Sequence, residues 1–221
     1  MKLSKKENST ALIQERKKKA RIILERLNAL FPGAHIALNY SSPWELLVAV
    51  MLSAQCTDKK VNEVTNRLFA KYHTLNDYVY ANPVEFEKDI FQTGFYRAKT
   101  RHVLATAKIV EEKFHGRVPD SIADLTTLPG VARKTANVVL GTIYHRYEGI
   151  AVDTHVKRLA RVFGLTYSVY PDTIERDLME VLPKKEWYRA TYLFIEYGRA
   201  HCTARVKNHK NCPLAEFEQS H

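Results

Sequence analysis

The segment Leu125-Thr126-Thr127-Leu128-Pro129-Gly130-Val131-Ala132-Arg133-Lys134-Thr135-Ala136-Asn137 decides how the chain is read. A short helix ends, Pro129-Gly130 turns the chain tightly, and a new helix starts at once. The first amides of a helix lack intrahelical partners and carry a positive partial charge. A phosphate accepts hydrogen bonds from such amides, and glycine lets the backbone come close enough to allow it. The arrangement grips a nucleic-acid backbone without reading bases. On pattern alone, the alternative is an ordinary tight turn in a helical core. In the helix that follows, Ala132, Ala136, Val139, Leu140 and Ile143 make an apolar stripe. Lys134 lies about 200° round from Ala132, on the opposite face with Asn137 and Gly141. The spacing therefore offers it to solvent or to a ligand cleft. Taken alone, such a lysine is a solvated charge.

Working outward, helical spacing dominates. Ile23, Leu27, Leu30 and Phe31 form one stripe. Ser42-Pro43 reads as N-cap and first-turn proline of a helix through Trp44-Glu45-Leu46-Leu47-Val48-Ala49-Val50. Pro83 starts a helix containing Phe86 and Ile90 that stops before Gly94. A long helix covers Tyr96 to Phe114 and breaks at His115-Gly116, and Ser121 with Asp124 has capping-box spacing. Further helices are expected over 132–146, 153–163, 172–181 and 185–200. Gly149-Ile150-Ala151-Val152 could be extended, but it is too short to support a sheet. The fold class is all-α.

The 221 residues suit one large domain or two small ones sharing an interface. Lys and Arg outnumber Asp and Glu by 34 to 24, a formal net charge of +10. That surplus favours a polyanionic partner, nucleic acid or an anionic membrane surface. No stretch approaches the roughly 18 apolar residues of a membrane span, and the N-terminus lacks the apolar core of a signal peptide. The three cysteines, Cys56, Cys202 and Cys212, are too scattered for a disulfide framework, so an intracellular, reducing compartment is expected.

Four strings, taken together, resemble the endonuclease III family of helix-hairpin-helix DNA glycosylases. They are Leu52-Ser53-Ala54-Gln55-Cys56-Thr57-Asp58, Thr93-Gly94-Phe95-Tyr96-Arg97-Ala98-Lys99, the hairpin Leu128 to Val139, and Ala151-Val152-Asp153-Thr154-His155-Val156. Their order and intervals agree with the family over most of the chain. The resemblance implies a two-lobed fold with a DNA-binding cleft between the lobes: a six-helix lobe over 36–146 carrying the hairpin, and a second lobe of 1–35 plus 147–221. It implies Lys134 as nucleophile and Asp153 as its carboxylate partner in a glycosylase with apurinic/apyrimidinic lyase activity. The expected partner is duplex DNA holding damaged bases, oxidised pyrimidines foremost, or abasic sites, and the enzyme is expected to act as a monomer. Read by itself, Asp153 is a helix N-cap; both roles are compatible.

A stacked base is out of reach, so the nucleotide must leave the helix and the gap must be filled. The resemblance places Gln55 at the plug and Phe95 where the family often carries a leucine wedge; a core aromatic is the other reading of Phe95. Leu128, Gly130, Ala132 and Arg133 belong to the phosphate-gripping hairpin, with Ala132 in place of a second glycine. His155 and Asp58 lie in matched motifs and are expected to reach the DNA. Cys56 reads as a small buried hydrophobe. Two rivals remain: a monofunctional mismatch glycosylase, which predicts no lysine at 134, and a non-catalytic helix-hairpin-helix module, which needs neither Lys134 nor Asp153.

The family usually ends in four cysteines that hold an iron–sulfur cluster. Here Cys202 and Cys212 match the first and third positions, and His209 and Glu218 occupy the second and fourth. A [4Fe–4S] cluster ordinarily takes four thiolates, so a degenerate site without metal or cofactor is expected, zinc on Cys202, His209 and Cys212 being the alternative. Pro213, Leu214 and Phe217 would then hold the C-terminal segment by packing. The basic run Arg205, Lys207, Lys210 and the N-terminal Arg16-Lys17-Lys18-Lys19 read either as phosphate contacts or as solvated charge.

Overall fold

The computed structural model describes residues 5–204 and 212–218, with side chains from Thr10 onward. Its helices are α1 (Lys5–Leu30), α2 (Pro43–Leu52), α3 (Asp58–Lys71), α4 (Leu75–Val79), α5 (Pro83–Ile90), α6 (Tyr96–Phe114), α7 (Ile122–Leu125), α8 (Arg133–Ile143), α9 (Thr154–Val162), α10 (Pro171–Val181) and α11 (Trp187–Ala200). Short 3-10 turns cover Phe91–Thr93, Lys184–Glu186 and Ala215–Phe217. The described residues contain no strand, and Gly149 to Val152 stays irregular with Ile150 and Ala151 buried. The chain divides into two compact units, Ile36–Glu148 and Met1–His35 with Gly149–His221.

In the Ile36–Glu148 unit, side-chain caps set the starts of α2, α3, α4, α5 and α7. Ser42 Oγ accepts from the Glu45 amide (3.1 Å) ahead of first-turn Pro43. Asn82 does the same for α5 ahead of Pro83, Ser121 for α7, and Thr74 with Asp77 closes a capping box on α4. Such caps each contribute on the order of 1 kcal/mol. Helices α4 and α5 pack on α6, and α2 packs on α8. Between them lie Leu47, Leu52, Val64, Leu68, Phe86, Ile90, Val103 and Leu140. Trp44, Tyr72, Tyr78 and Phe86 form a chain of ring contacts, with centroids 5.2–5.9 Å apart, in the tilted and edge-on geometries aromatic quadrupoles favour.

In the other unit, α1 packs on α10 and α11, and α9 packs on α11. Ile23, Leu27, Leu159, Phe163, Ile174, Leu178, Leu193 and Phe194 fill the interior. Arg189 on α11 donates to the carbonyls of Phe31 (3.3 Å) and Pro32 (2.8 Å), tying down the exit from α1.

Two stripes need correction. Leu30 is 42% exposed as the last residue of α1, and Ala20, Ile23, Leu24 and Leu27 carry the buried face. In α8, Ala132 is exposed because it stands outside the helix as an extended N-cap (φ −86°, ψ 169°). Asn137 and Gly141 are buried rather than sharing an open face with Lys134. Every residue from Ala136 to Gly141 is buried, so exposure along α8 follows position on the axis rather than face. Its first turn alone, with Arg133 and Lys134, is open.

Candidate functional site

The hairpin is a turn built to present the start of α8. The Val131 amide donates to the Leu128 carbonyl (3.1 Å) across Pro129-Gly130, and Gly130 has φ +77°. Proline second and a left-handed glycine third is the signature of a type II turn. From α6, the Thr106 hydroxyl donates to the Pro129 carbonyl (3.0 Å) and fixes the turn from below. Leu128 is 2% exposed, so its side chain anchors the hairpin in the core and can reach no ligand. Ala132 brings no side-chain acceptor to the first-turn amides of α8, unlike Ser42, Thr57 or Asp153 at their helices. Lys134, one residue into the helix after Arg133, is exposed beside those amides.

A Cβ on Gly130 would stand 2.7 Å from His102 Nδ1 and 2.8 Å from its Cβ. A Gly130→Ala variant therefore meets both a left-handed backbone penalty of about 1–2 kcal/mol and a clash. We expect a lower unfolding midpoint in urea and at least about tenfold weaker duplex DNA binding.

A pocket of about 270 Å³ beside this turn is lined by Met51, Ala54, Gln55, Phe95, Ala98, Lys99, His102 and Gly130. Three of its residues have left-handed backbones: Gln55 (φ 53°), Phe95 (φ 49°) and Gly130. For a non-glycine residue that conformation costs on the order of 1–3 kcal/mol and tends to mark functional sites. The other non-glycine cases, His115 and His145, follow the ends of α6 and α8, where a left-handed residue closes a helix. Phe95 has no such reason, since it precedes α6. It is 66% exposed, so it is not a core aromatic, and Gln55 is exposed as well. Thus Gln55, Phe95 and Gly130, far apart in sequence, share one pocket. Asp58 instead opens α3 behind the cap Thr57, where a carboxylate complements the helix dipole. Cys56 is half-buried.

Lys99 and His102 were not foreseen as pocket residues. The signal was present for Lys99, which stands four positions before Val103 on the buried face of α6, where a charge is out of place.

In the other unit, Asp153 Oδ1 accepts from the Val156 amide (2.8 Å) and caps α9. It remains half-exposed, as does His155. His155 rests on α11, where Gly198 leaves no Cβ to collide with its ring. A basic pocket of about 390 Å³ follows along α9, lined by Thr154, Lys157, Arg158, Arg161 and Val162. In α1, Arg16 donates to the Leu165 carbonyl and Lys19 is half-buried, with its ammonium pulled below the usual lysine range chiefly by burial. Lys17 and Lys18 are exposed.

Cys202 is fully buried, and Arg158 Nη1 donates to its sulfur (3.0 Å). Burial pushes both the Cys202 and Cys212 thiols up from the ordinary range. His209 and the run Arg205, Lys207, Lys210 lie outside the described residues. Among the described residues, no three His, Cys, Asp or Glu side chains gather as a metal site, and two thiols do not fit a four-thiolate cluster. Leu214 is fully buried and its amide donates to the Tyr197 hydroxyl (3.2 Å). Arg26 pairs with Glu216 (2.7 Å) and covers the Phe217 ring (5.2 Å). Pro213 is exposed and takes no part.

Residues 48–184 match the model of the HhH-GPD superfamily of base excision DNA repair proteins. Endonuclease III of Synechocystis is 46% identical over 202 residues, covering 91% of this chain and 92% of its own. Endonuclease III of Bacillus subtilis is 40% identical, covering 89% and 90%. A solved non-covalent endonuclease III–DNA complex has a TM-score of 0.87 at 41% identity, covering 92% of this chain and 95% of that one. A trapped endonuclease III–DNA covalent intermediate follows at 0.86. A thermostable thymine-DNA glycosylase shares the fold, with a TM-score of 0.80 at 19% identity.

Proposed function

The chain belongs to the HhH-GPD superfamily of base excision DNA repair proteins, and on that premise we propose that it is a bifunctional DNA glycosylase and apurinic/apyrimidinic lyase acting on damaged bases in duplex DNA. The observation that carries this reading is an exposed lysine, Lys134, in the open first turn of the hairpin helix.

The chemistry accounts for the residue types. Lys134 Nζ attacks the sugar C1′ as the C1′–N bond to the damaged base breaks and the base leaves with the electron pair and a proton. Opening of the sugar ring at O4′ then leaves a protonated imine at C1′. That imine is an electron sink: a base removes a C2′ proton, the C3′–O bond breaks, and the 3′ phosphate departs by β-elimination. Water returns the lysine. A water nucleophile would release the base and leave the strand whole. Asp153 serves as the carboxylate that stabilises the oxocarbenium-like sugar and shuttles protons between steps. The hairpin amides after Gly130 and the Arg133 side chain hold phosphates. Gln55 and Phe95 fill the gap left by the extruded nucleotide. Oxidised pyrimidines are the preferred lesions in this reading.

A duplex carrying one thymine glycol tests the function. We expect free base and a nicked strand with an unsaturated aldehyde at its 3′ end. Base release without nicking would make the enzyme monofunctional, and neither product would leave a binding module. We further propose that the enzyme works without an iron–sulfur cluster, its C-terminal segment held by Leu214, Tyr197 and the Arg26 contacts. Purified protein is expected to lack stoichiometric iron and the broad absorbance at about 400 nm that such a cluster brings.

A further inference from the structure

Among the described residues the buried charged side chains are Lys99, 6% exposed, and Glu175. Lys99 is costly to place there, since an ammonium loses its hydration on burial. Burial pulls it below the ordinary lysine range, while nearby Cys56 acts in the opposite sense. What it gains is specific: Nζ donates to the Leu52 carbonyl (2.8 Å) and to the Thr93 carbonyl (2.7 Å). Leu52 is the last residue of α2, and Thr93 closes the 3-10 turn before α6. Carbonyls at helix ends lack intrahelical donors and carry negative partial charge, so a cation suits both.

These two carbonyls stand at the roots of the two strained turns. Gln55 comes three residues after Leu52 and Phe95 two residues after Thr93, and both are left-handed. Lys99 lines the same pocket as Gln55 and Phe95. An apolar side chain of similar length would fill the space but would leave two buried acceptors without their donor, and the turns would lose their common anchor. Among the described residues Nζ donates to backbone carbonyls and to no carboxylate, so the bond holds main chain to main chain.

We propose that Lys99 is a positioning residue that locks the Gln55 and Phe95 turns at a fixed separation, so that plug and wedge enter the vacated stack together. The proposal rests on the glycosylase reading and adds to it a buried residue that touches no DNA.

The test compares the full-length wild type with Lys99→Met, Lys99→Gln and the double variant Gln55→Ala/Phe95→Ala. Single-turnover base release is measured on a thymine glycol duplex, and borohydride trapping on a single-stranded abasic oligonucleotide, which has no stack to fill. We expect Lys99→Met to lose at least about tenfold on the duplex and to stay within about twofold of wild type on the single strand. Added to the double variant, it should cost less than about twofold more, because residues acting through one device are not additive. Lys99→Gln, which keeps one donor within reach, should show the same substrate pattern with a smaller loss, and it replaces the Met variant if that fails to fold. Equal losses on duplex and single strand would show that Lys99 merely holds the fold, and an unchanged duplex rate would show that it holds nothing needed; either overturns the assignment. A wild type that releases no base from the duplex would instead remove the premise, and the proposal with it.

Discussion

Lys134→Ala is expected to abolish strand cleavage at abasic sites, lowering the single-turnover rate by at least about a thousandfold, while the protein melts where the wild type does. The first half follows from chemistry, since an alanine cannot form the imine through which the phosphate is eliminated. The second follows from position. Lys134 is exposed in the first turn of α8, and substitutions at open surface positions change stability by about 0.5 kcal/mol or less. The hairpin amides and Gly130 stay in place, so affinity for undamaged duplex should fall only modestly, by the loss of one positive charge. Gel-based nicking, a binding titration and a thermal melt read the three quantities together. A variant that still cut abasic DNA at a tenth of the wild-type rate would move the nucleophile elsewhere.

The second large effect separates the two roles of Asp153. Asn at this position keeps an oxygen that can accept from the Val156 amide, and Asn caps helices about as well as Asp. Asp153→Asn should therefore melt normally and yet lose about 10²–10⁴-fold in base release, the usual worth of a positioned proton-transfer group. Asp153→Ala removes cap and carboxylate together. It should show the same catalytic loss and in addition about 1 kcal/mol of lost stability, a midpoint lower by about 2–4 °C. If the Asn variant were fully active, Asp153 would be a cap and nothing more.

Legibility varied along the chain for physical reasons. Helix α6 was readable to its ends, because Gly94 stands before Tyr96 and His115-Gly116 breaks the helix after Phe114. The same holds for the starts of α2 and α5, where a polar cap precedes a proline. Helices α3 and α4 went unread. The buried face of α3 is Val61, Val64, Thr65 and Leu68, so a threonine interrupts the apolar stripe, and α4 has only five residues, too few for a period to show. The open face assigned to α8 was wrong at Asn137 and Gly141, because a helix buried all round over its middle does not obey a two-face pattern.

For the site, the motifs that resemble the endonuclease III family brought out Gln55, Phe95 and Gly130, and the fold adds that the three share one pocket. The side chain of Leu128 is buried and serves the packing of the hairpin; a motif records which residues recur together, not which of them point inward. Lys99 was legible only as a charge on the buried face of α6; its part depends on two carbonyls from distant segments, which the local pattern does not reveal. The cysteines were legible as a count, two where four are needed. How Leu214 and Arg26 hold the C-terminal segment was visible only once the chain was folded.

In the lyase reaction an amine of this chain becomes covalently joined to the sugar of damaged DNA. Incubating the protein with an abasic duplex in borohydride, digesting the reduced complex and locating the adduct by peptide mass spectrometry identifies that amine. A single adduct on Lys134, absent from Lys134→Ala, is expected. No adduct from the wild type under conditions in which abasic DNA is bound, or an adduct on another residue, would contradict it.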